Sequence, residues 1–374
     1  MRRFEDEINI IKSASSISIY GAGDIGTQVA YCLMNAPYNK NIETFLVTST
    51  DNQSQESIMG VPIVPVSDAQ ISKDSLILVS VLEKYKEEIA LTLKALGFDN
   101  VLFLTFESDL WAAVRREHFY EYAKAKSFSK INYLKDVEHR YLSEDADVEG
   151  FNVYIAKSHK DKKIKVTIKN RPWEKDIQVG AALTQERIAD IADSLGDNIS
   201  EKNANYCELT ALYWLWKNCN DDFIGLSHYR RRFALCNKDI SYIRNNKVDV
   251  VLTIPILNVP SVKDMYEKNH ILKDWERLEQ ALYILYPEYL PFFYEVQEGN
   301  YYFAYNMLIM SHECLNNYCE WLFSILRKCE DSRTERDTYQ NRYLGFLAER
   351  LLSVYVLYHA DDLNIVYTDK NFYE

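Results

Sequence analysis

Ser16–Met34 reads SISIYGAGDIGTQVAYCLM. SISIY is β-like, and Gly21-Ala22-Gly23-Asp24-Ile25-Gly26 then turns the chain into a helix. Glycines at that spacing permit a tight turn and close approach of the backbone to a pyrophosphate, whose charge the helix N-terminus favours. Outward from this turn, Thr44–Thr48 (TFLVT), Val61–Val66 (VPIVPV), Ser75–Val81 (SLILVSV) and Val101–Thr105 (VLFLT) read as strands. Tyr85–Leu96 reads as a helix ended by Gly97. Strands alternating with helices predict a parallel, doubly wound sheet.

Residues 1–106 therefore form a Rossmann-like α/β domain. A redox role for its turn lacks a partner: TFLVT ends in Thr48, Ser49 and Thr50 before Asp51, and Glu43 precedes the strand. No ribose-binding acid is clearly placed. Residues 107–149 mix charges with aromatics and contain no proline, which predicts a helical linker, with the acidic stretch SEDADVEG at the boundary. A second αβ pattern begins at Phe151. FNVYIA, FIGLS (Phe223–Ser227), VDVVLTI (Val248–Ile254) and YYFAYNMLIM (Tyr301–Met310) read as strands. Glu201–Asn218, Met265–Tyr286, Glu313–Cys329 and Tyr339–His359 read as helices.

Composition narrows the classes. A chain of 374 residues suits two domains, and 47% hydrophobic with 26% charged residues excludes a disordered chain. A net charge of −12 removes any global basic field for nucleic acid. No apolar run approaches the ~18 residues of a membrane span. Seven cysteines, odd in number and irregularly spaced, read as reduced thiols without a zinc pattern. A soluble, cytoplasmic protein is the expectation. The 28 tyrosines and 6 tryptophans fit either amphipathic core aromatics or sugar-stacking surfaces.

The densest motif spans Gly196–Phe233: GDNISEKNANYCELTALYWLWKN, then DDFIGLSHYRRRF. Tyr206, Leu209, Tyr213 and Trp216 share one helix face, as core packing requires. Asp197, Asn198, Lys202 and Asn203 cluster at the helix start, more polar groups than capping accounts for. His228, Arg230, Arg231 and Arg232 follow a buried strand, at the edge where open α/β sheets place ligands. Guanidinium groups there match diphosphate oxygens, and a solvated basic turn is the competing reading.

The strings VYIAKSHK, VGAALT, GDNISEKNANYCELTALYWLWKN, GLSHYRRRF, YNMLIM and RYLGFLAERLL, in that order, resemble a bacterial family catalogued as a domain of unknown function. That family is associated with capsular and exopolysaccharide gene clusters and is regarded as glycosyltransferases. The resemblance covers about Asn152 to Tyr358 and implies a GT-A-like α/β domain over 150–374. It also implies a nucleotide-sugar donor, with UDP-galactose or UDP-galactofuranose as candidates, and a glycan or lipid-linked acceptor. Peripheral association with the inner face of a membrane is left open. In GT-A enzymes of the glycogenin-like type, a helix leads into a strand ending in Asp-x-Asp, which holds a metal. Here His228-Tyr229-Arg230 fills that place, so no cofactor is required, although manganese or magnesium is not excluded. By the same resemblance Asn306 contacts the sugar, and Tyr266 with His270 faces the acceptor. His159 follows the strand FNVYIA, which would place it near the nucleotide, with a surface-loop histidine as the competing reading. Glu349, beside Arg350 in GFLAERLL, is either half of a buried ion pair or the catalytic carboxylate, and His270 is a second catalytic candidate. An oxidoreductase or epimerase using Gly21, Gly23 and Gly26, and a non-catalytic sugar-nucleotide-binding protein, are the alternatives.

Overall fold

A computed structural model describes residues 4–50, 55–136 and 148–373. The chain forms two compact units: one runs to Lys126 and takes in Leu257–Val259, the other comprises Ser127–Ile256 and Pro260 onward. The helix Asp109–Ala123 belongs with the first and Ser127–Asp136 with the second, so the segment read as a linker is divided between them. Most of SEDADVEG, like Asp51, lies outside the described residues.

In the first unit, parallel strands run in the order Val61–Pro65, Ile42–Val47, Ile17–Tyr20, Leu76–Val79, Val101–Phe103. The strand order reverses between Ile17–Tyr20 and Leu76–Val79, and the glycine turn leaves from that point into the helix Asp24–Met34. Two of its glycines are demanded by packing. Gly21 has φ +117°, and a Cβ there would meet the Ser80 carbonyl oxygen at 2.5 Å. A Cβ on Gly26 would lie 1.8 Å from the Gly21 carbonyl oxygen. Gly23 has open space instead, with nothing within 4 Å. Past the second strand, Thr48 hydrogen-bonds the Tyr20 hydroxyl at 2.8 Å.

The second unit carries a mixed sheet in the order Ile191–Ala192, Glu174–Gln178, Phe151–Lys157, Phe223–His228, Leu308–Ser311, Val250–Thr253, Ile365–Thr368, Asn132–Tyr133. Leu308–Ser311 is antiparallel to both neighbours and the other pairs are parallel. Phe223 pairs with Phe151 and His228 with Ala156, so both central strands deliver their next residues to one edge. Arg231–Phe233 turns back from that edge and pairs with Lys370–Phe372. Phe151, Val153, Ile155, Phe233, Val251, Ile309 and Val366 form a core on the sheet. The helices His312–Cys329 and Tyr343–Tyr358 bury most of their length. Rings such as Tyr289 on Tyr358 (3.9 Å) and Tyr318 on Tyr355 (5.0 Å) spend much of the tyrosine excess on packing.

Three expected elements are interrupted. Glu201–Asn218 breaks at Cys207, whose φ of 53° and ψ of −131° no helix contains. The Asn203 amide holds the break by donating to the Cys207 carbonyl at 2.7 Å and to Thr210 Oγ1 at 3.1 Å. Met265–Tyr286 divides at His270, which is extended. Tyr301–Met310 is two strands separated by Tyr305 and Asn306, both left-handed with φ of 70° and 50°. Each break supplies a residue to the site.

Candidate active site

Left-handed backbone costs a residue with a Cβ on the order of 1–3 kcal/mol and persists only where its surroundings fix it. At Tyr305–Asn306 the surroundings are polar. The Tyr305 amide donates to Glu349 Oε1 at 2.9 Å, and the Tyr305 carbonyl accepts from His228 Nε2 at 2.6 Å. The Asn306 amide donates to Glu208 Oε1 at 2.7 Å and to the Gly345 carbonyl at 3.2 Å. Asn306 is 1% exposed, yet its Oδ1 has no partner. Because a carbonyl can only accept, the proton of neutral His228 sits on Nε2 and Nδ1 is left as an acceptor.

Cations surround this turn. The Arg231 guanidinium lies 4.4 Å from the Tyr305 ring centre and 5.2 Å from that of Phe372. Arg342 donates to Cys207 Sγ at 3.2 Å. Burial pushes the His228 imidazole below its ordinary pKa, Glu208 opposes that push, and Arg231 and Arg342 add to it. Glu349 is raised above the ordinary glutamate range, first by burial and then by Glu208, against Arg350. Its Oε2 accepts from Arg350 at 2.8 Å while 17% of its side chain stays exposed. The structure shows the ion pair of the first reading, with the Glu349 side chain still partly exposed.

Tyr266 and His270 join the same group. The His270 ring stacks on Phe346 at 4.1 Å and lies 4.7 Å from Tyr266. Burial, with Arg350 behind it, lowers the His270 pKa to about 3, so the ring is neutral at pH 7. Arg350 lies 5.2 Å from the Tyr266 ring centre and 4.3 Å from that of Tyr302, and the buried Tyr266 hydroxyl has no partner.

This cluster falls within the part of the chain that matches a family model over residues 152–360, described as Domain of unknown function (DUF4422). The chain belongs to the DUF4422 family. Its structure is similar to that of the bifunctional glycosyltransferase WbbM in its apo form, with a TM-score of 0.52 and 26% identity. The likeness covers 59% of this chain and 45% of WbbM, so this chain matches less than half of that protein. Comparison with curated proteins finds no match.

The remaining candidates separate. His159, after Phe151–Lys157, has a buried Nδ1 without a partner; nearby, burial raises the Asp161 carboxyl above its ordinary range, opposed by the Ser158 amide and Arg230. Arg230 lies 5.0 Å from the Phe372 ring centre and donates weakly to the Tyr373 carbonyl at 3.4 Å. Alternation sends Arg232 inward, where it pairs with buried Glu174 at 2.9 Å. Asp197, Asn198, Lys202 and Asn203 all have partners nearby. Asp197 accepts from Tyr213, Asn198 bonds Ser194, Gly196 and Ser200, Lys202 pairs with Glu330, and Asn203 holds the Cys207 break. These bonds give each residue of the polar run a partner within the protein, and Asn203, through the Cys207 break, borders the Tyr305–Asn306 group.

Glu208, Arg342 and Tyr305 were not singled out from sequence. Glu208 stood in the quoted string YCELT, but a continuous helix gives it no special direction; the break at Cys207 does. Among the described residues no group of three or more His, Cys, Asp or Glu could hold a metal ion.

Proposed function

We propose that this protein is a glycosyltransferase that moves a hexose from a nucleotide-sugar, of the UDP-galactose or UDP-galactofuranose kind, onto a capsular, exopolysaccharide or O-antigen glycan. The observation that carries this reading is the meeting of Glu208, His228, Arg231, Arg342 and Glu349 at the Tyr305–Asn306 turn. The turn adjoins the sheet edge where α/β folds receive ligands. The similarity to WbbM supports it.

In this reading Arg230 and Arg231 bind the diphosphate and stabilise the charge it gains on leaving, worth ~3–4 kcal/mol per donor. His228, neutral and held by the Tyr305 carbonyl, orients the turn. The unpaired Asn306 Oδ1 accepts a sugar hydroxyl. Glu349 acts on the reacting sugar or the acceptor hydroxyl, and His270 with Tyr266 lines the acceptor side. Transfer is metal-independent, because a histidine and arginines stand where a carboxylate pair would hold the cation. No ribose-binding acid is clearly placed after Thr44–Thr48, which weighs against NAD chemistry in the first unit.

A panel of nucleotide-sugars assayed for transfer and hydrolysis, in excess EDTA and with added manganese, tests this. Turnover of one UDP-sugar that survives EDTA is expected. Hydride exchange on NAD, or binding without turnover, would overturn the reading, and loss in EDTA rescued by manganese would overturn its metal-independent part.

A further inference from the structure

Between Lys157 and Arg171 the chain reads KSHKDKKIKVTIKNR, seven Lys or Arg against a single Asp in a protein whose net charge is −12. Asp161 is turned to its own loop, accepting the Ser158 amide at 2.7 Å. Lys160, Lys162, Lys163, Lys165 and Lys169 are exposed, and among the described residues none forms an ion pair. Interleaved with them are Ile164, Val166 and Ile168. These three belong to none of the buried core; they wall a cavity of about 260 Å³ together with Lys157, Lys162 and Tyr229, and Val166 is 52% exposed. Neither core packing nor internal charge pairing therefore explains this composition.

Exposed lysines interleaved with aliphatic side chains, Val166 exposed and Ile164 and Ile168 half-buried, match the chemistry of an anionic bilayer, which takes the cations at its headgroups and the aliphatic groups at the acyl boundary. On a chain with an overall negative charge, such a patch also fixes which face turns to the surface, since the rest is repelled. Among the described residues no helix is long and apolar enough to cross a membrane, so attachment of this kind would be peripheral. We propose that Lys160–Lys169 docks the protein on an anionic lipid surface. This goes beyond the sugar-transfer reading and does not depend on it.

Flotation of the full-length protein with vesicles of phosphatidylcholine alone, or with one third phosphatidylglycerol, is the test. Binding to the phosphatidylglycerol vesicles that weakens between 0.1 and 0.5 M salt is expected, with little binding to phosphatidylcholine. Each lysine near an anionic surface contributes about fivefold in affinity, so Lys162→Glu/Lys163→Glu/Lys165→Glu should weaken binding by at least about a hundredfold. The neutral triple glutamine variant, checked by melting for an intact fold, should show the same loss in smaller measure. Val166→Asp, which leaves the five lysines in place, should also weaken binding. Equal binding to both vesicle types, or unchanged binding by the triple variants, overturns the proposal. So does a loss of UDP affinity in those variants with vesicle binding intact, which would assign the loop to the nucleotide.

Discussion

Of three consecutive arginines, Arg232 is buried in an ion pair while Arg230 and Arg231 are proposed to bind the diphosphate, and Arg232→Ala tests that division. Arg232 and Glu174 are each 4% exposed and paired at 2.9 Å, and the same Arg232 Nη1 also donates to Asn170 Oδ1 at 2.9 Å. Truncating the arginine leaves Glu174 with the Arg171 amide as a donor, at 2.9 Å, for a carboxylate still cut off from water. Breaking a buried pair from one side costs about 3–5 kcal/mol, because the surviving charge is uncompensated. For a unit of this size that is a fall of roughly 6–20 °C in its melting transition, at ~2–4 °C per kcal/mol. Replacing both partners, Arg232→Met with Glu174→Gln, should recover most of the loss, since the charge and its partner leave together. Arg231→Ala should behave oppositely: a melting transition within a few degrees of wild type, and sugar transfer slowed by about two to three orders of magnitude. Calorimetric melting alongside a transfer assay reads both. An Arg232→Ala protein as stable as wild type, or an Arg231→Ala protein equally destabilised, would refute the division.

Glu349→Gln should lower turnover by about 10²–10⁴-fold while donor affinity changes little. Burial holds this carboxyl above the usual range, so wild-type activity should rise with pH through a pKa above that of an ordinary glutamate, and a profile without that acid limb would contradict the role. The His270 ring, with its pKa at about 3 in the fold and near ~6.5 when unfolded, takes up its proton only on unfolding. Stability is therefore full above pH ~6.5 and falls as pH drops toward 3, by up to ~1.4 kcal/mol per pH unit. His270→Phe, which keeps the stack on Phe346, should flatten that slope in urea unfolding between pH 7 and 4, and an unchanged slope would remove His270 as its source. Gly26→Ala places a Cβ 1.8 Å from the Gly21 carbonyl oxygen and should unfold or shift the first unit, whereas Gly23→Ala meets open space and should melt like wild type.

The strand and helix succession of both units was legible because their periods are local properties of the sequence. SISIY, SLILVSV and FIGLS are found as strands nearly at the residues expected. The closing strands Ile365–Thr368 and Lys370–Phe372 were not singled out, since each is short and defined by its partners, Val250–Thr253 and Arg231–Phe233. The site was half legible. His228, Asn306, Glu349, Tyr266 and His270 stand in distinctive strings. Glu208, Arg342 and Tyr305 matter through backbone geometry at Cys207, Tyr305 and Asn306, and left-handed conformations of residues with side chains leave no composition signal. Asp197, Asn198, Lys202 and Asn203 drew notice as a polar cluster, yet their partners are distant in sequence or in their own loop, which one-dimensional spacing cannot reveal.

A structure of the full chain with UDP bound tests the central claim most directly. The nucleotide is expected at the carboxyl ends of Phe151–Lys157 and Phe223–His228, with its diphosphate within hydrogen-bonding distance of Arg230 or Arg231 and directed toward the Tyr305–Asn306 turn. UDP lodged instead at the Gly21–Gly26 turn, or bound in the second unit away from both arginines, would contradict it.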